Sequence, residues 1–322
     1  ILGGAARAAY RLHQALLSAG INSKMLVQTK YSSDETVIGA QSLSAKRLAH
    51  ITYRLDQFPL KLYPDRKSGF FSPQWVPQRT ASKVDHHKPQ IINLHWINNG
   101  FVQIESLKQL QAPIIWTMHD MWPFTGGCHY SAGCERYKVS CGNCPLLGST
   151  TEKDLSRRVW NRKSDSWEGL NITIVALSNW LADCARQSSL FADLPITVIP
   201  NCIDSSIWKP VDKGLARDQL NLPQDKKIVA LHATGARRKG LHLLTPALEI
   251  LAKSELGIDI ELAVLGAFHS NETMDFAFKT HALGEIQDDQ RLALAYSAVD
   301  VFVLPSTEDN LPNTIMEAFA CG

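Results

Sequence analysis

Residues 301–322 read VFVLPSTEDNLPNTIMEAFACG, and this stretch decides the fold. An apolar run over residues 301–304 stops at Pro305 and is followed by a polar turn and by a helix-forming segment over residues 311–320. The run is short, continuous and rich in valine, which is typical of a buried parallel strand. In an open α/β sheet, the turn after such a strand lies where ligands bind. The stretch therefore predicts a strand, a ligand-binding turn and a helix.

Two carboxylates of this stretch share one face of the predicted helical segment. Asp309 and Glu317 are eight positions apart, so about two helical turns separate them on the same side. One can meet a sugar hydroxyl near the start of the helix while the other meets a ribose further along it. Free N–H groups at a helix start also suit an anion. The alternative is a buried strand followed by an amphipathic helix with solvated acids.

The spacing resembles the Glu-x7-Glu element of the retaining glycosyltransferases of family four, which adopt the GT-B fold. The first acid at that spacing is Asp309, whereas Glu308 lies one residue earlier, and which of the two takes the family's role stays open. The resemblance implies that one of them acts catalytically at the donor sugar and that Glu317 holds the ribose. It also implies that the donor phosphates bind near Asn310, Leu311, Pro312, Asn313 and Thr314.

A basic triplet follows another predicted strand, over residues 228–231. Arg237, Arg238 and Lys239 stand before Gly240, and such cations offset the growing negative charge of a diphosphate leaving group. The triplet resembles the family's Arg…Lys-Gly element, with Lys239 in the position of the lysine. The family's arginine lies several residues earlier, so either Arg237 or Arg238 substitutes for it or a shorter loop realigns the element. A solvated basic turn is the alternative.

Two predicted strands of the first half each end in a histidine. His95 follows residues 91–94, and His119 follows residues 113–118. A single histidine is more often structural, but two imidazoles at the carboxyl ends of strands indicate a site. The pair His119-Asp120 resembles the first-domain histidine element of the family, which contacts the donor sugar near the reaction centre. The resemblance implies that His95 and Asp120 help to shape the cleft.

A pair of glycines, Gly3 and Gly4, precedes a predicted helix near the start of the chain. Small residues at a helix start let the backbone approach a phosphate or a sugar closely. The pattern Gly-x-Gly-x-x-Gly of dinucleotide sites is absent. The residues alone favour a tight turn, whereas the resemblance implies a donor-binding Gly-Gly loop.

Four cysteines crowd into the loop over residues 126–145, with the spacing C-x5-C-x6-C-x2-C. They are Cys128, Cys134, Cys141 and Cys144. The CxxC pair favours a tetrahedral structural zinc site without a catalytic role, because a closed four-sulfur site leaves no position for water. Four free thiols or a redox pair are the alternatives. The run HDMWPFTGGCHY with its spaced cysteines resembles a family-four subgroup of bacterial exopolysaccharide clusters, of the colanic-acid type.

Composition limits the remaining possibilities. The 322 residues carry 33 basic and 31 acidic side chains, and a net charge of +2 gives no case for nucleic acid as a partner. We expect a fragment cut at both ends, because the chain begins without Met and stops at an expected helix end. We find no signal peptide and no apolar run of the length that a membrane span needs. Crowded rather than spread cysteines indicate a cytoplasmic protein.

Two surfaces could contact a membrane or an acceptor. Phe70, Phe71 and Trp75 lie among Ser and Pro in an irregular region, residues 31–85. This pattern favours a buried aromatic cluster over an acceptor-facing or membrane-facing surface. The basic helix over residues 151–167 favours a solvated face over contact with anionic lipid. Peripheral contact with the inner face of the membrane is left open.

Strands alternate with helices in both halves, which predicts an α/β protein of two doubly wound parallel-sheet domains. We place an acceptor-side domain at residues 1–209 and an incomplete nucleotide-sugar domain at residues 210–322. The resemblance implies GT-B architecture, with two Rossmann-like domains facing a central cleft.

The resemblance implies a retaining, metal-independent glycosyltransferase of the hexosyltransferase type. Its donor is a GDP- or UDP-sugar and its acceptor a lipid-linked saccharide or oligosaccharide, with no cofactor for catalysis. The rival hypotheses are a sugar-nucleotide epimerase or phosphorylase on the same plan, a binding module that uses the cysteines as a nucleic-acid finger, and an inactive nucleotide-sugar-binding scaffold.

Overall fold

The computed structural model describes residues 3–233, 236–255, 259–266 and 276–322. The chain divides into two compact units, one up to Cys202 and one from Ile203. Trp208 follows this division and is buried in the second unit's hydrophobic core, together with residues such as Leu220 and Tyr296. The segment that leads into the second half therefore packs with that half.

The first unit is an α/β unit with parallel strand pairing throughout its described strands. Its strands are β1 (Met25–Thr29), β2 (Val37–Ala40), β3 (Ile92–Leu94), β4 (Ile114–Met118), β5 (Ile172–Ala176) and β6 (Ile196–Val198). Its α-helices are α1 (Gly4–Ser18), α2 (Leu43–Gln57), α3 (Thr80–His86), α4 (Leu155–Trp167) and α5 (Asn179–Arg186). Strands β3 to β6 form a sheet in that order, and β1 pairs with β2.

Aromatic residues fill the space between this sheet and its helices. Trp116 on β4 is buried, and its ring lies 5.0 Å from that of Trp167 on α4 and 6.2 Å from that of Trp122. Large aromatic side chains bury more apolar area than any others, so this cluster dominates the stability of the unit. It also fixes the loop after β4, because Trp122 belongs to that loop.

The second unit repeats the plan. Its strands are β7 (Lys227–His232), β8 (Ile260–Leu265), β9 (Thr280–Gly284) and β10 (Val301–Val303), and its α-helices are α6 (Lys213–Leu220), α7 (Leu241–Ala252), α8 (Asp289–Ser297) and α9 (Asn313–Ala320). The sheet order is β10-β7-β8-β9, with parallel pairing throughout. The predicted architecture of two Rossmann-like α/β units is confirmed.

Two expectations about the surface of the first unit are wrong. Phe71 is buried, but Phe70 and Trp75 are exposed, so the aromatic residues of this region do not form one buried cluster. The basic helix is not a purely solvated face either. Lys163 is completely buried, and Arg162 forms an ion pair with Glu105. In both cases the residue types alone misjudged which side chains pack inward.

Candidate functional site

The basic turn of the second unit follows β7. Arg237–Lys239 form one turn of 3-10 helix, and Gly240 ends it with a φ of 77°. A Cβ atom on Gly240 would lie 1.7 Å from the carbonyl oxygen of Pro305, so only glycine fits here. Since β7 and β10 are hydrogen-bonded neighbours, their carboxyl ends meet at one edge of the sheet. The basic turn therefore packs directly on the turn that follows β10.

The carboxylate of Asp309 lies between two cations of the basic turn. Lys239 Nζ is 2.5 Å from Asp309 Oδ2, and Arg238 Nη1 is 3.4 Å from Asp309 Oδ1. Arg238 also donates a hydrogen bond to the carbonyl of Glu308, while the Thr307 N–H donates to the carbonyl of Arg238. Two cations against one carboxylate leave a net positive charge, which suits an anionic ligand.

The predicted donor-binding residues differ from one another in their burial and in their contacts with this ion-pair cluster. Arg238 and Lys239 are half-buried and contact the acidic turn, whereas Arg237 is exposed. Residues 310–314 lead from Asp309 into α9 and are half-buried. Glu317 lies inside α9 and is buried. Of the two acids whose role was left open, Asp309 brings its carboxylate to the cations, and Glu308 brings a backbone carbonyl.

A histidine borders the cluster on the β7 side. The ring of His232 hydrogen-bonds to the hydroxyl of Tyr296, with a distance of 3.2 Å between Nε2 and Oη. Burial and, to a lesser extent, the charge of Lys239 together lower the pKa of His232 to about 4. His232 is therefore neutral at pH 7 and adds no charge to the site.

The two predicted histidines of the first unit form a pair. Strands β3 and β4 are neighbours, so His95 and His119 leave the same edge of the sheet, and His95 Nδ1 lies 2.9 Å from His119 Nε2. Burial and the neighbouring ring of His119 lower the pKa of His95 to about 3. Burial also lowers the pKa of His119 to about 4, although Asp120 opposes the shift. Both rings are neutral at pH 7 and can offer hydrogen bonds to uncharged hydroxyl groups.

A second histidine network holds the loop after β4. Asp120 Oδ2 is 2.7 Å from Nδ1 of His129 and accepts a hydrogen bond from the indole N–H of Trp96. The other ring nitrogen of His129 is 2.9 Å from the hydroxyl of Ser72. Burial alone would raise the pKa of Asp120, but the charge and hydrogen bond of His129 hold it below its usual value. Asp120 therefore anchors the loop next to His119.

Comparison with known proteins assigns the family. Residues 2–207 match the model for Glycosyltransferase Family 4, and residues 225–322 match the model for glycosyl transferases group 1. The chain belongs to glycosyltransferase family 4. Among its family relatives is an Escherichia coli (strain K12) protein described as a colanic acid biosynthesis glycosyl transferase, WcaC. The two are 26% identical over 336 residues, which cover 99% of this chain and 78% of the relative.

Solved structures agree with the family 4 fold. A sucrose-phosphate synthase from Thermosynechococcus elongatus aligns with a TM-score of 0.63 and 20% identity, over 99% of this chain and 74% of that one. The HepE protein of Anabaena, in complex with UDP-glucose, aligns with a TM-score of 0.53 and 15% identity, over 92% of this chain and 77% of that one. At such identities the likeness shows the GT-B fold alone.

The glycine pair of this family 4 chain lies where α1 begins. Gly3 precedes the helix with a φ of 89°, a conformation that other residues rarely adopt, and Gly4 is its first residue. Both are exposed, and a Cβ atom on Gly3 would meet nothing within 4 Å. The space next to Gly3 can therefore admit a ligand, and its donor-binding role stays a prediction.

Sequence reasoning missed the residues that support the histidine loop. Lys163 on α4 donates hydrogen bonds to the carbonyls of Trp122 and Thr125, and its Nζ lies 3.6 Å from the centre of the Trp122 ring. Burial lowers the pKa of Lys163 well below its usual value. Lys163 thus fastens the loop after β4 to α4. The helical spacing of Val159, Lys163 and Trp167 was a signal that could have shown this inward face.

The four cysteines line one pocket, with Phe71 and Tyr137 among its other walls. Cys141 and Cys144 are buried, and no disulfide links the cysteines. Burial raises the pKa of Cys141 to about 11 and also raises that of Cys144, so both thiols are neutral at pH 7. Within the described ranges, no three His, Cys, Asp or Glu side chains lie close enough to hold a metal ion. The arrangement therefore does not support the predicted zinc site.

No helix in the described part of the chain is both long enough and apolar enough to cross a bilayer.

Proposed function

We propose that this family 4 chain is a retaining transferase that moves a hexose from a nucleotide-sugar donor to a lipid-linked or oligosaccharide acceptor in the synthesis of a bacterial surface polysaccharide. The observation that carries the proposal is the ion-pair cluster of Arg238, Lys239 and Asp309 at the joined ends of β7 and β10. Such a cluster offers fixed positive charge beside a helix start, which is where a diphosphate gains most.

The cluster divides the work among its residues. Lys239 and Arg238 hold the donor diphosphate, and the buried Glu317 holds the ribose. Asp309 already orients the two cations, and its carboxylate has lone pairs left for sugar hydroxyls. The N–H groups over residues 310–314 contribute further donors to the phosphates. His119 supplies a neutral hydrogen-bonding group to the donor sugar.

The reaction needs no dedicated base in this proposal. The acceptor hydroxyl oxygen forms a bond to the anomeric carbon, while the bond between that carbon and the phosphate oxygen breaks. The acceptor proton passes to the departing phosphate oxygen, which is therefore its own base. The cations stabilise the negative charge that grows on the leaving nucleoside diphosphate.

The proposed donor follows from a solved structure that shares the fold. HepE, which shares the fold, is described with UDP-glucose bound, so we propose a UDP-sugar first and a GDP-sugar as the alternative. The relative described as a colanic acid biosynthesis transferase supports an acceptor in surface-polysaccharide assembly. We place the protein in the cytoplasm, where nucleotide sugars are made.

Thermal unfolding with UDP, GDP and ADP tests the binding part of the proposal. A ligand that binds only the native state stabilises it by an amount that grows with the logarithm of the ratio of ligand concentration to Kd. At equal concentrations, the nucleotide that binds most tightly therefore raises the melting temperature most. If none of the three raises it, the diphosphate assignment is wrong.

Release of nucleoside diphosphate from the matching sugar donor, with and without a lipid-linked saccharide, tests transfer. The anomeric configuration of the product, read by NMR, then tests retention. Conversion of the donor to another sugar nucleotide without acceptor would instead indicate an epimerase. Binding without any turnover would indicate an inactive scaffold.

A further inference from the structure

Helix α2 of the first unit turns an apolar line of residues to solvent. Leu48, Ile51, Leu55 and Phe58 follow one another at spacings of three and four, so they lie on one side of the helix. Between 46% and 63% of the surface of each side chain is exposed. Leu62 continues the exposed apolar region beyond the helix. We call these five residues the α2 apolar stripe.

The other side of α2 packs inward although it is polar. Thr52 and Asp56 are buried, and the carboxylate of Asp56 accepts a hydrogen bond from the backbone N–H of Trp75. A surface helix of a protein that only meets water normally buries its apolar side and exposes its polar side. The buried polar contacts hold α2 with its polar side inward and its apolar side towards solvent. The exposure of the stripe is therefore built into the fold.

Basic side chains accompany the stripe. Arg47 and Arg54 are seven positions apart on the exposed side of α2, and Lys61 lies seven positions further along. Residues 43–67 contain six basic and two acidic side chains, and one of the acids is the buried Asp56. The accessible charge of this region is therefore strongly positive, in a chain whose net charge is only +2.

An aromatic residue marks the edge of the same region. Trp75 is 40% exposed, and its indole N–H donates to the carbonyl of Leu55 on α2. An amphipathic helix with an apolar line, flanking cations and partly exposed aromatic rings is the arrangement that lies in a membrane interface. The positive charge complements an anionic surface and selects a bilayer with acidic headgroups.

We propose that the α2 apolar stripe, with Arg47, Arg54 and Lys61, docks this chain on an anionic lipid bilayer. The leucine, isoleucine and phenylalanine side chains enter the outer acyl region, and the three cations contact lipid phosphates. This proposal does not depend on which nucleotide the second unit binds.

Flotation with lipid vesicles tests the proposal on the full chain. Vesicles of phosphatidylcholine alone are compared with vesicles that also contain phosphatidylglycerol. We expect binding only to the anionic vesicles, and we expect high salt to weaken it because salt screens charges on exposed side chains. Equal binding to both vesicle types, or none to either, would overturn the proposal.

Two variants separate the contributions of the stripe and the cations. The triple change L48Q/I51Q/L55Q should weaken anionic-vesicle binding by about 100-fold, since three apolar side chains lose their burial in the membrane. The triple change R47Q/R54Q/K61Q should weaken it by about 100-fold as well, since each cation near the surface contributes about tenfold or somewhat less. All six side chains are largely solvent-facing, so the fold should persist.

A matched control is available on α7. Leu243 and Ile250 are also exposed apolar side chains of a helix, and L243Q/I250Q should leave vesicle binding unchanged. If the control loses binding as strongly as the α2 variants, the membrane contact is nonspecific and the proposal fails.

Sedimentation velocity tests the alternative that the stripe binds a second copy of this chain. A dimer in solution that L48Q/I51Q/L55Q abolishes, without lipid binding, would assign the stripe to a second copy instead.

Discussion

The two units place chemically different groups at equivalent positions of their sheets. In the first unit, the neighbouring strands β3 and β4 deliver His95 and His119, which are neutral because burial lowers their pKa values. In the second unit, the neighbouring strands β7 and β10 deliver Lys239 and Asp309 as a charged pair that solvent reaches in part. The sheet edge of the first unit offers uncharged hydrogen-bonding groups, and the sheet edge of the second unit offers charged groups.

The proposed function assigns the charged edge to the diphosphate of the donor and the neutral edge to its sugar. A diphosphate carries formal negative charge and gains from cations, whereas a hexose carries only hydroxyl groups and gains from neutral donors and acceptors. The comparison therefore predicts that damage to the second unit affects nucleotide binding, while damage to the first affects turnover or stability.

Removal of the lysine charge should have the largest effect. In Lys239→Ala, the growing charge on the leaving diphosphate loses its nearest cation, and kcat/KM should fall about 10²–10³-fold. The free nucleoside diphosphate should bind more weakly too, as calorimetry would show. Lys226→Ala removes an exposed lysine paired with Asp259 in the same unit and should change neither value. Turnover that survives in Lys239→Ala would contradict the phosphate assignment.

Loss of the buried lysine should instead weaken the first unit. Lys163→Met removes the ammonium that donates to the carbonyls of Trp122 and Thr125, and although the Thr125 N–H still donates to Trp122, the loss should cost about 2–4 kcal/mol of stability. The measurement is thermal unfolding followed by tryptophan fluorescence, because Trp122 and Trp167 lie beside Lys163. Arg158→Met changes an exposed residue of the same helix and serves as the control. Equal melting temperatures for the two variants would show that Lys163 does not fasten the loop.

Removal of the histidine at the donor-sugar position should lower turnover without affecting nucleotide binding. His119→Ala should reduce kcat by roughly 10- to 100-fold, the size expected for one lost hydrogen bond of about 1–3 kcal/mol. The Kd for the free nucleoside diphosphate, measured by calorimetry, should stay the same. A large rise in that Kd would contradict the proposal that the second unit binds the nucleotide without help from His119.

Acidification should gradually destabilise the folded chain through the histidine pair. The pKa values of His95 and His119 in the folded chain are about 3 and about 4, below the ordinary value of 6.5. Below about pH 6.5 the unfolded chain therefore binds protons that the folded chain does not. The pair lowers stability progressively as the pH falls from about 6.5 towards about 3, and it has no effect above that window.

Denaturant unfolding between pH 7 and pH 5 measures this dependence. His95→Gln should make the curve of unfolding free energy against pH shallower. His86→Gln, which replaces an exposed histidine, should leave the curve unchanged. If both variants follow the wild-type curve, the buried pair does not govern the acid response.

The strand pattern made the fold predictable, and the ends of strands made part of the site predictable. His95 and His119 were found because each directly follows an apolar run, whereas Lys239 and Asp309 were found in the polar turns that follow such runs. Their partners were harder to find. The contact between Lys239 and Asp309 joins residues 70 positions apart, and it depends on β10 lying beside β7, which no local pattern shows.

Buried polar residues were the least predictable part. His129 lies within the cysteine-rich loop, and only the folded chain shows that its ring meets Asp120. Lys163 lies among arginines and was expected to face water, although its spacing from Val159 and Trp167 placed it on the inward side. That prediction relied on the charge of Lys163, whereas the helical spacing predicted its burial correctly.

The contact between Gly240 and Pro305 has a consequence for engineering donor preference. Because no side chain fits between the two turns, a change of loop length in one of them displaces the other, and the two must be redesigned together. Libraries that randomise the proposed nucleotide site should therefore keep Gly240 and Pro305 constant. The position to randomise is Arg237, which is exposed, so that new side chains there can extend into solvent without separating the two turns.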